Sequence, residues 1–186
     1  MTASRRISDY DIRLIPKPLW GVSLASVCLA SSWEPIRQQA ILANAGNCYF
    51  ADEVGRHDGT LEAHERWEYD LKGKVTLTAI WPLCPHCHEL FHPGRVLARS
   101  GQAGLDRLTR RYAETAGIPF STAQRRYHNA FRNHSLASAV RTWSIDTSAV
   151  SQHFPLKAKK AKEAQLSPHR WVPNPFQRGK SDVLSG

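Results

Sequence analysis

Leu83-Cys84-Pro85-His86-Cys87-His88-Glu89-Leu90-Phe91-His92 is the stretch on which the fold turns. Cys84 and Cys87 stand three positions apart, a spacing that lets two thiolates grip one metal ion from a tight turn. A helix is predicted to start near His88. His88 and His92 then lie at i and i+4, one above the other on a single helical face, where two imidazoles can share a divalent ion. Upstream, Leu61-Glu62-Ala63-His64-Glu65-Arg66-Trp67-Glu68-Tyr69-Asp70 sets a histidine among carboxylates, and 61–69 alternates loosely enough for a strand. Lys72-Gly73-Lys74 reads as a turn and Val75–Trp81 is rich in β-formers, with Pro82 expected to end it. A chance Cys-x-x-Cys or His-x-x-x-His is commonplace in a chain with 4 cysteines and 9 histidines. Both motifs together, directly after a hairpin, point to metal binding.

Outward from this centre the pattern becomes helical. Ser31 or Ser32 can cap a helix with Pro35 in its first turn, running to about Ala45 with Gly46 as its stop. Before it lie an irregular arm over 1–18 and a possible extended run, Leu19–Leu29. Cys48-Tyr-Phe-Ala-Asp-Glu-Val-Gly55 is a knuckle or turn. After the centre, helices are predicted over Gln102–Thr115 and Thr122–Val140, the second capped by Ser121, and Arg141–Ile145 suits a short strand. The expected organisation is an N-terminal arm and helix over 1–47, a finger over 48–100, a helical extension packing on it over 101–150, and a flexible, disordered basic tail over 151–186. The tail runs through Lys157-Ala-Lys-Lys-Ala-Lys162 into Pro168, Pro173 and Pro175. The fold class is α+β.

The 186 residues carry a net charge of +9, unevenly spread. Residues 48–100 sum to −2, whereas 101–150 sum to +4 and 151–186 to +5. A locally acidic, ligand-rich centre between basic flanks suits a site that holds cations while its surroundings attract phosphate. No run reaches the roughly 18–20 apolar residues that a membrane span needs. With no secretory pattern at the start, cytoplasmic location is expected and a disulfide framework is not. Cys28, alone among apolar neighbours, reads as a small buried hydrophobe. Trp67 and Tyr69 read as core, and His57, beside Asp58-Gly59, as an exposed loop residue. Arg110-Arg111, Arg125-Arg126 and Arg132 on the predicted helices are either solvated faces or phosphate clamps. The basic tail could also meet protein partners.

The order Cys48, then Leu-Glu-Ala-His64-Glu, then Leu-Cys-Pro-His-Cys-His88 resembles the HNH (His-Me finger, ββα-metal) endonucleases that carry a zinc-ribbon-like brace. More narrowly, His64-Glu-Arg-Trp-Glu-Tyr-Asp70, Cys84-Pro-His-Cys-His-Glu89 and His92-Pro-Gly94-Arg95 look like a bacterial and phage group of HNH-like proteins. That group typically reads His-Glu-x-Trp-x-Tyr-Asp, Cys-Pro-x-Cys-His-Glu and His-x-Gly-Arg. Pro18-Leu-Trp20-Gly and Ser32-Trp33 resemble its leader, so the resemblance extends over about Pro18–Ile145, most specifically over the finger.

The resemblance implies a divalent-metal-dependent endonuclease or nickase acting on nucleic acid, double-stranded DNA above all. His64 would be the general base that takes a proton from the attacking water. His88 and His92 would bind the catalytic ion, with Glu65 as a possible further ligand. Mg²⁺ or Mn²⁺ would be usual, although a histidine pair also suits Zn²⁺ or Ni²⁺. Cys48, Cys84 and Cys87 would bind a structural zinc, with Asp52 or His57 as fourth ligand. Arg95, Arg99, Arg110, Arg111, Arg125 and Arg126 would face the nucleic acid. Three departures stand out. Ala63 occupies the place of an expected Asp or His ligand, the motif's middle Asn falls near Ala79, and Cys48 has Ala51 where a second knuckle cysteine is usual. These favour a runner-up, a non-catalytic zinc-finger module or interaction subunit in a nucleic-acid-processing complex.

Overall fold

The computed structural model describes residues 5–24, 30–52 and 57–148. The basic tail over 151–186, Cys28 and the side chains of Ser31 and Ser32 lie outside the described residues. Helix α1 spans Ala30–Ala43, strands β1 and β2 span Glu62–Tyr69 and Lys74–Leu83, and helix α2 spans Pro85–Leu90. Helices α3 (Pro93–Ala116) and α4 (Phe120–Ser138) follow, then strand β3 (Ser144–Asp146). The result is a mixed α+β architecture around a small three-stranded sheet ordered β1-β2-β3. β1 and β2 pair antiparallel, as the hairpin signal predicts, and β3 pairs parallel to β2 through Lys74–Thr76.

One irregularity in the hairpin organises the whole core. Arg66 pairs with Ala79 but Trp67 pairs with Leu77, so Thr78 is an extra residue on β2, its hydroxyl donating to the Arg66 carbonyl at 3.1 Å. Such a bulge switches which sheet face the following residues point to. Val75 and Leu77 therefore join Leu19, Leu24, Ile36, Trp67, Ala137 and Trp143 in one apolar cluster. Trp81 and Leu83, of the same odd parity, join Ile7, Phe50, Leu90, Phe91, Leu108, Tyr112 and Tyr127 in the other. A single strand thus serves two cores, and both finger and helical extension share them.

Several expectations need correction. Pro82 does not end β2: it pairs opposite Ala63, and the strand continues to Leu83. The Pro82 carbonyl accepts from Tyr49 N at 2.7 Å, so its nitrogen points to that same outer side, where no ladder bond to β1 is lost. The helix after the cysteine turn starts at Pro85, not near His88, because Cys84 is its N-cap and proline is pre-set for the first helical position. α3 starts nine residues before the predicted Gln102, at Pro93, and is interrupted at Gly101 (φ 61°, ψ −164°). Leu19–Leu24 is not extended, since a 3-10 turn over Lys17–Leu19 leads into Gly21 at φ 84°. The described part of the N-terminal arm is irregular yet packed down, with Ile7 0% and Ile12 7% exposed. Gly73, at φ 90°, takes β3 close alongside: a Cβ there would meet the Thr142 carbonyl oxygen at 2.3 Å. Among the described residues no helix is long and apolar enough to cross a membrane.

Candidate metal centres

Two clusters of metal-ligating side chains form around α2, one from each side of the Cys87-His88 peptide. The first gathers Cys48, His57, Cys84 and Cys87, one donor atom from each lying within 4.8 Å of all the others. The helix start builds it: the Cys84 sulfur accepts from Cys87 N at 3.4 Å, while Cys84 N approaches the Cys48 sulfur at 3.4 Å. His57 Nδ1 lies 3.8 Å from the Cys84 sulfur and 3.5 Å from that of Cys87. Tetrahedral zinc, with Zn–S of about 2.3 Å and Zn–N of about 2.0–2.1 Å, requires sulfur-to-nitrogen edges of about 3.6 Å. The donor types and the edges both fit. This Cys₃His set could hold a structural metal such as zinc. His57 is half-buried in the cluster rather than exposed, and it, not the exposed Asp52, supplies the fourth donor.

The thiols are electrostatically unequal. Cys48 is drawn down to about 4, chiefly because the Cys87 thiol hydrogen-bonds to its sulfur. Cys87 is pushed far up by that same bond and by burial, and Cys84 is pushed up by burial.

The second cluster is His64, His88 and His92, again with donor atoms within 4.8 Å. Strand alternation places Glu62 and His64 on the β1 face that packs toward Trp81 and Phe91. His64 stands opposite Trp81 in the ladder, with ring centroids 6.0 Å from Trp81 and 5.2 Å from Phe91. His92 is not on the same helix as His88, as the i, i+4 spacing suggests. α2 ends at Leu90, and His92 is the N-cap of α3. The two rings nevertheless meet, Nε2 to Nε2, at 2.9 Å. Two ligands at right angles on an octahedral ion with bonds of about 2.0–2.1 Å stand about 2.9 Å apart, so that pair also fits a shared ion. His88 turns its other nitrogen, Nδ1, to the Glu62 carboxylate, an arrangement that fixes ring orientation and leaves Nε2 for the shared position.

All three imidazoles resist protonation. His64 is held well below the usual histidine range by burial, with His92 and His88 adding to it. Burial, helped by His88 and Arg95, brings His92 down to about 3. His88 is also lowered by burial, while Glu62 pulls the other way. Neutral imidazole is the form that ligates metals and accepts protons.

Glu65 does not join this group. It lies on the opposite face of β1, its two oxygens accepting from Leu24 N at 2.8 Å and Trp67 Nε1 at 2.7 Å. Asp70 is equally committed, accepting from the Lys72 and Lys74 amides of the hairpin turn. Of the six arginines singled out in the sequence, Arg95 and Arg99 line a cleft with His64 and His92. Arg111 is bound to Glu89 at 2.5 Å and Arg126 to the Ser8 carbonyl at 2.6 Å, both holding the fold together. Arg110 and Arg125 are exposed on α3 and α4. Sequence reading missed Arg66 beside the site, with its guanidinium 5.3 Å over the Trp81 ring; its even spacing from His64 on β1 carried that signal. Arg13 and Trp20, which line the same cleft, come from outside the finger: Arg13 gave no signal, and Trp20 entered only through the resemblance of Pro18-Leu-Trp20-Gly to the family's leader. No family model, curated protein or solved structure matches this chain.

Proposed function

We propose that β1, β2 and α2 form the metal finger of an HNH-type endonuclease or nickase that hydrolyses DNA phosphodiester bonds. The observation that carries this is the convergence of His64, His88 and His92 from three separate elements onto one point. Cys48, His57, Cys84 and Cys87 brace the finger through a structural zinc. His88 and His92 hold the second ion. A divalent ion there, Mg²⁺ or Mn²⁺, or Zn²⁺ or Ni²⁺ as a histidine pair also allows, supplies charge neutralisation at the phosphate and at the departing 3′ oxygen.

The chain's own groups do the rest. His64 accepts a proton from the attacking water at a ring nitrogen. The water oxygen bonds to phosphorus as the bond to the 3′ oxygen breaks, and that oxygen takes a proton from solvent, leaving a 5′ phosphate and a 3′ hydroxyl. The depressed pKa of His64 keeps the ring unprotonated at neutral pH, at some expense of base strength. Packing against Trp81 and Phe91 orients that ring, taking the part of the hydrogen-bonding Asn absent at Ala79. Glu62, one residue before Ala63, orients His88. Arg95 and Arg99 stand beside the imidazoles to receive phosphate oxygens.

Incubating supercoiled plasmid with the zinc-loaded chain and Mg²⁺ or Mn²⁺ tests this. Nicked or linear product that disappears with His64→Ala, while DNA binding persists, supports the nuclease. DNA binding with no cutting by either protein supports the second reading, a non-catalytic zinc-finger module. That second reading needs only the Cys₃His set, which is complete in itself.

A further inference from the structure

His64 and His92 form part of the lining of a cleft of about 600 Å³. A second, of about 390 Å³, adjoins it, and Arg13, Leu14, Tyr69 and His134 line both. We infer that this joined cleft takes an unpaired, single-stranded stretch of nucleic acid, a base lying on Trp20 and phosphates on Arg13, Arg95 and Arg99. The inference rests on the assignment of a phosphodiester to the histidine cluster and narrows its substrate class.

Size and lining carry it together. The larger cleft falls within the roughly 300–1,000 Å³ of sites that enclose a small organic group such as a nucleotide. Its wall is mostly apolar and aromatic, with Trp20, Phe91 and Phe131 among its residues. A paired duplex has its base faces already stacked and offers such a wall phosphates, sugars and base edges but no open base face. An unpaired base has two faces to cover, and stacking on an aromatic ring is the sequence-tolerant way to cover one.

Trp20 is suited to that task. It is 51% exposed, yet its indole is pinned, Nε1 donating to the Ile15 carbonyl at 2.9 Å, and it lies within 15° of parallel to the His134 ring. The charges in the larger cleft are arginines, apart from Glu65, whose carboxylate oxygens are occupied by Leu24 N and Trp67 Nε1. At the junction of the two clefts, Arg13 Nε is buried with no hydrogen-bond partner. Its terminal nitrogen reaches Asp11 only at 3.4 Å. Arg132 and Asn133 continue the polar lining along the second cleft, so a strand could run from the imidazoles past Arg13 toward α4.

Anisotropy with a fluorescein-labelled DNA 20-mer, single-stranded or annealed to its complement, tests this with the full zinc-loaded chain and no added divalent ion. Single-strand binding at least tenfold tighter than duplex binding is expected. Trp20→Ala should weaken it by about tenfold or more, the range that loss of one base stack gives, whereas Trp20→Phe, which keeps a ring but loses the Ile15 bond, should bind like the parent. Arg13→Ala should lower the salt dependence of single-strand binding by about 0.7 in log–log slope. Equal or tighter binding of duplex overturns the inference, as does an unchanged Trp20→Ala or equal losses in Trp20→Ala and Trp20→Phe. Binding is read without cleavage. A chain that prefers single strands but cuts nothing removes the nuclease reading alone. One that cuts duplex plasmid with Trp20 immaterial removes this inference alone.

Discussion

Zinc loading of the Cys₃His cluster should depend steeply on acidity, and the structure sets how steeply. In the metal-free cluster Cys48 is ionised down to a pH of about 4 because the Cys87 thiol donates to it. Cys84 and Cys87 are pushed upward and keep their protons at neutral pH. Zinc binds thiolate, so its entry must expel about two protons at pH 7, not three. Each pH unit then changes the apparent binding free energy by about 2.7 kcal/mol, a hundredfold in affinity. Competition against a chromophoric chelator at pH 6 and pH 7 reads that ratio, and elemental analysis of the purified chain fixes the stoichiometry. Cys87→Ala should abolish tight binding and, since buried sulfurs and helix start both converge on this ion, lower the melting temperature of the loaded protein. An affinity unchanged between the two pH values, or a Cys87→Ala protein with parental zinc content, would refute the reasoning.

Two further outcomes follow from named residues. The metal-free protein should lose stability as the pH falls below about 6.5: the unfolded chain then takes up protons at histidine, whereas native His92 stays neutral to about 3. At pH 5 that side chain alone accounts for about 2 kcal/mol, seen as the extra shift in urea midpoint relative to His92→Asn, and a midpoint that rises on acidification contradicts it. Gly73→Ala, which strains a φ of 90° and drives a Cβ against Thr142, should destabilise by about 2–4 kcal/mol. Gly46→Ala, at φ 75° with open space around it, serves as the control at about 1 kcal/mol, and equal losses in chemical denaturation would argue that β3 is not seated on the turn.

The hairpin and the cysteine turn were legible because each rests on local spacing, alternation for β1 and Cys-x-x-Cys for the turn, whereas His88 and His92 meet across the break between α2 and α3 rather than one turn apart on a single helix. What was not legible depends on distant partners. Nothing in Thr78 announces a bulge, yet it decides that Leu77 and Trp81 serve different cores. The early start of α2 lies in Cys84-Pro85, a cap followed by a first-turn proline, a signal that overlaps the ligand spacing of the same residues. His57 was named beside Asp52 as a fourth ligand through the resemblance, but its polar neighbours Asp58 and Gly59 gave no reason to prefer it. Glu65, named only through the resemblance, faces away from the histidines because strand alternation puts Glu62 on their side instead.

Cys87 and His88 are consecutive residues on a helix only six residues long. One peptide bond therefore joins a sulfur of one metal set to an imidazole of the other, with no slack between them. A rotation of that short rod to suit either ion re-aims the donor offered to its neighbour. The two sets should thus respond as a linked unit, and an oxidant or chelator directed at the sulfurs would shift the imidazoles without touching them.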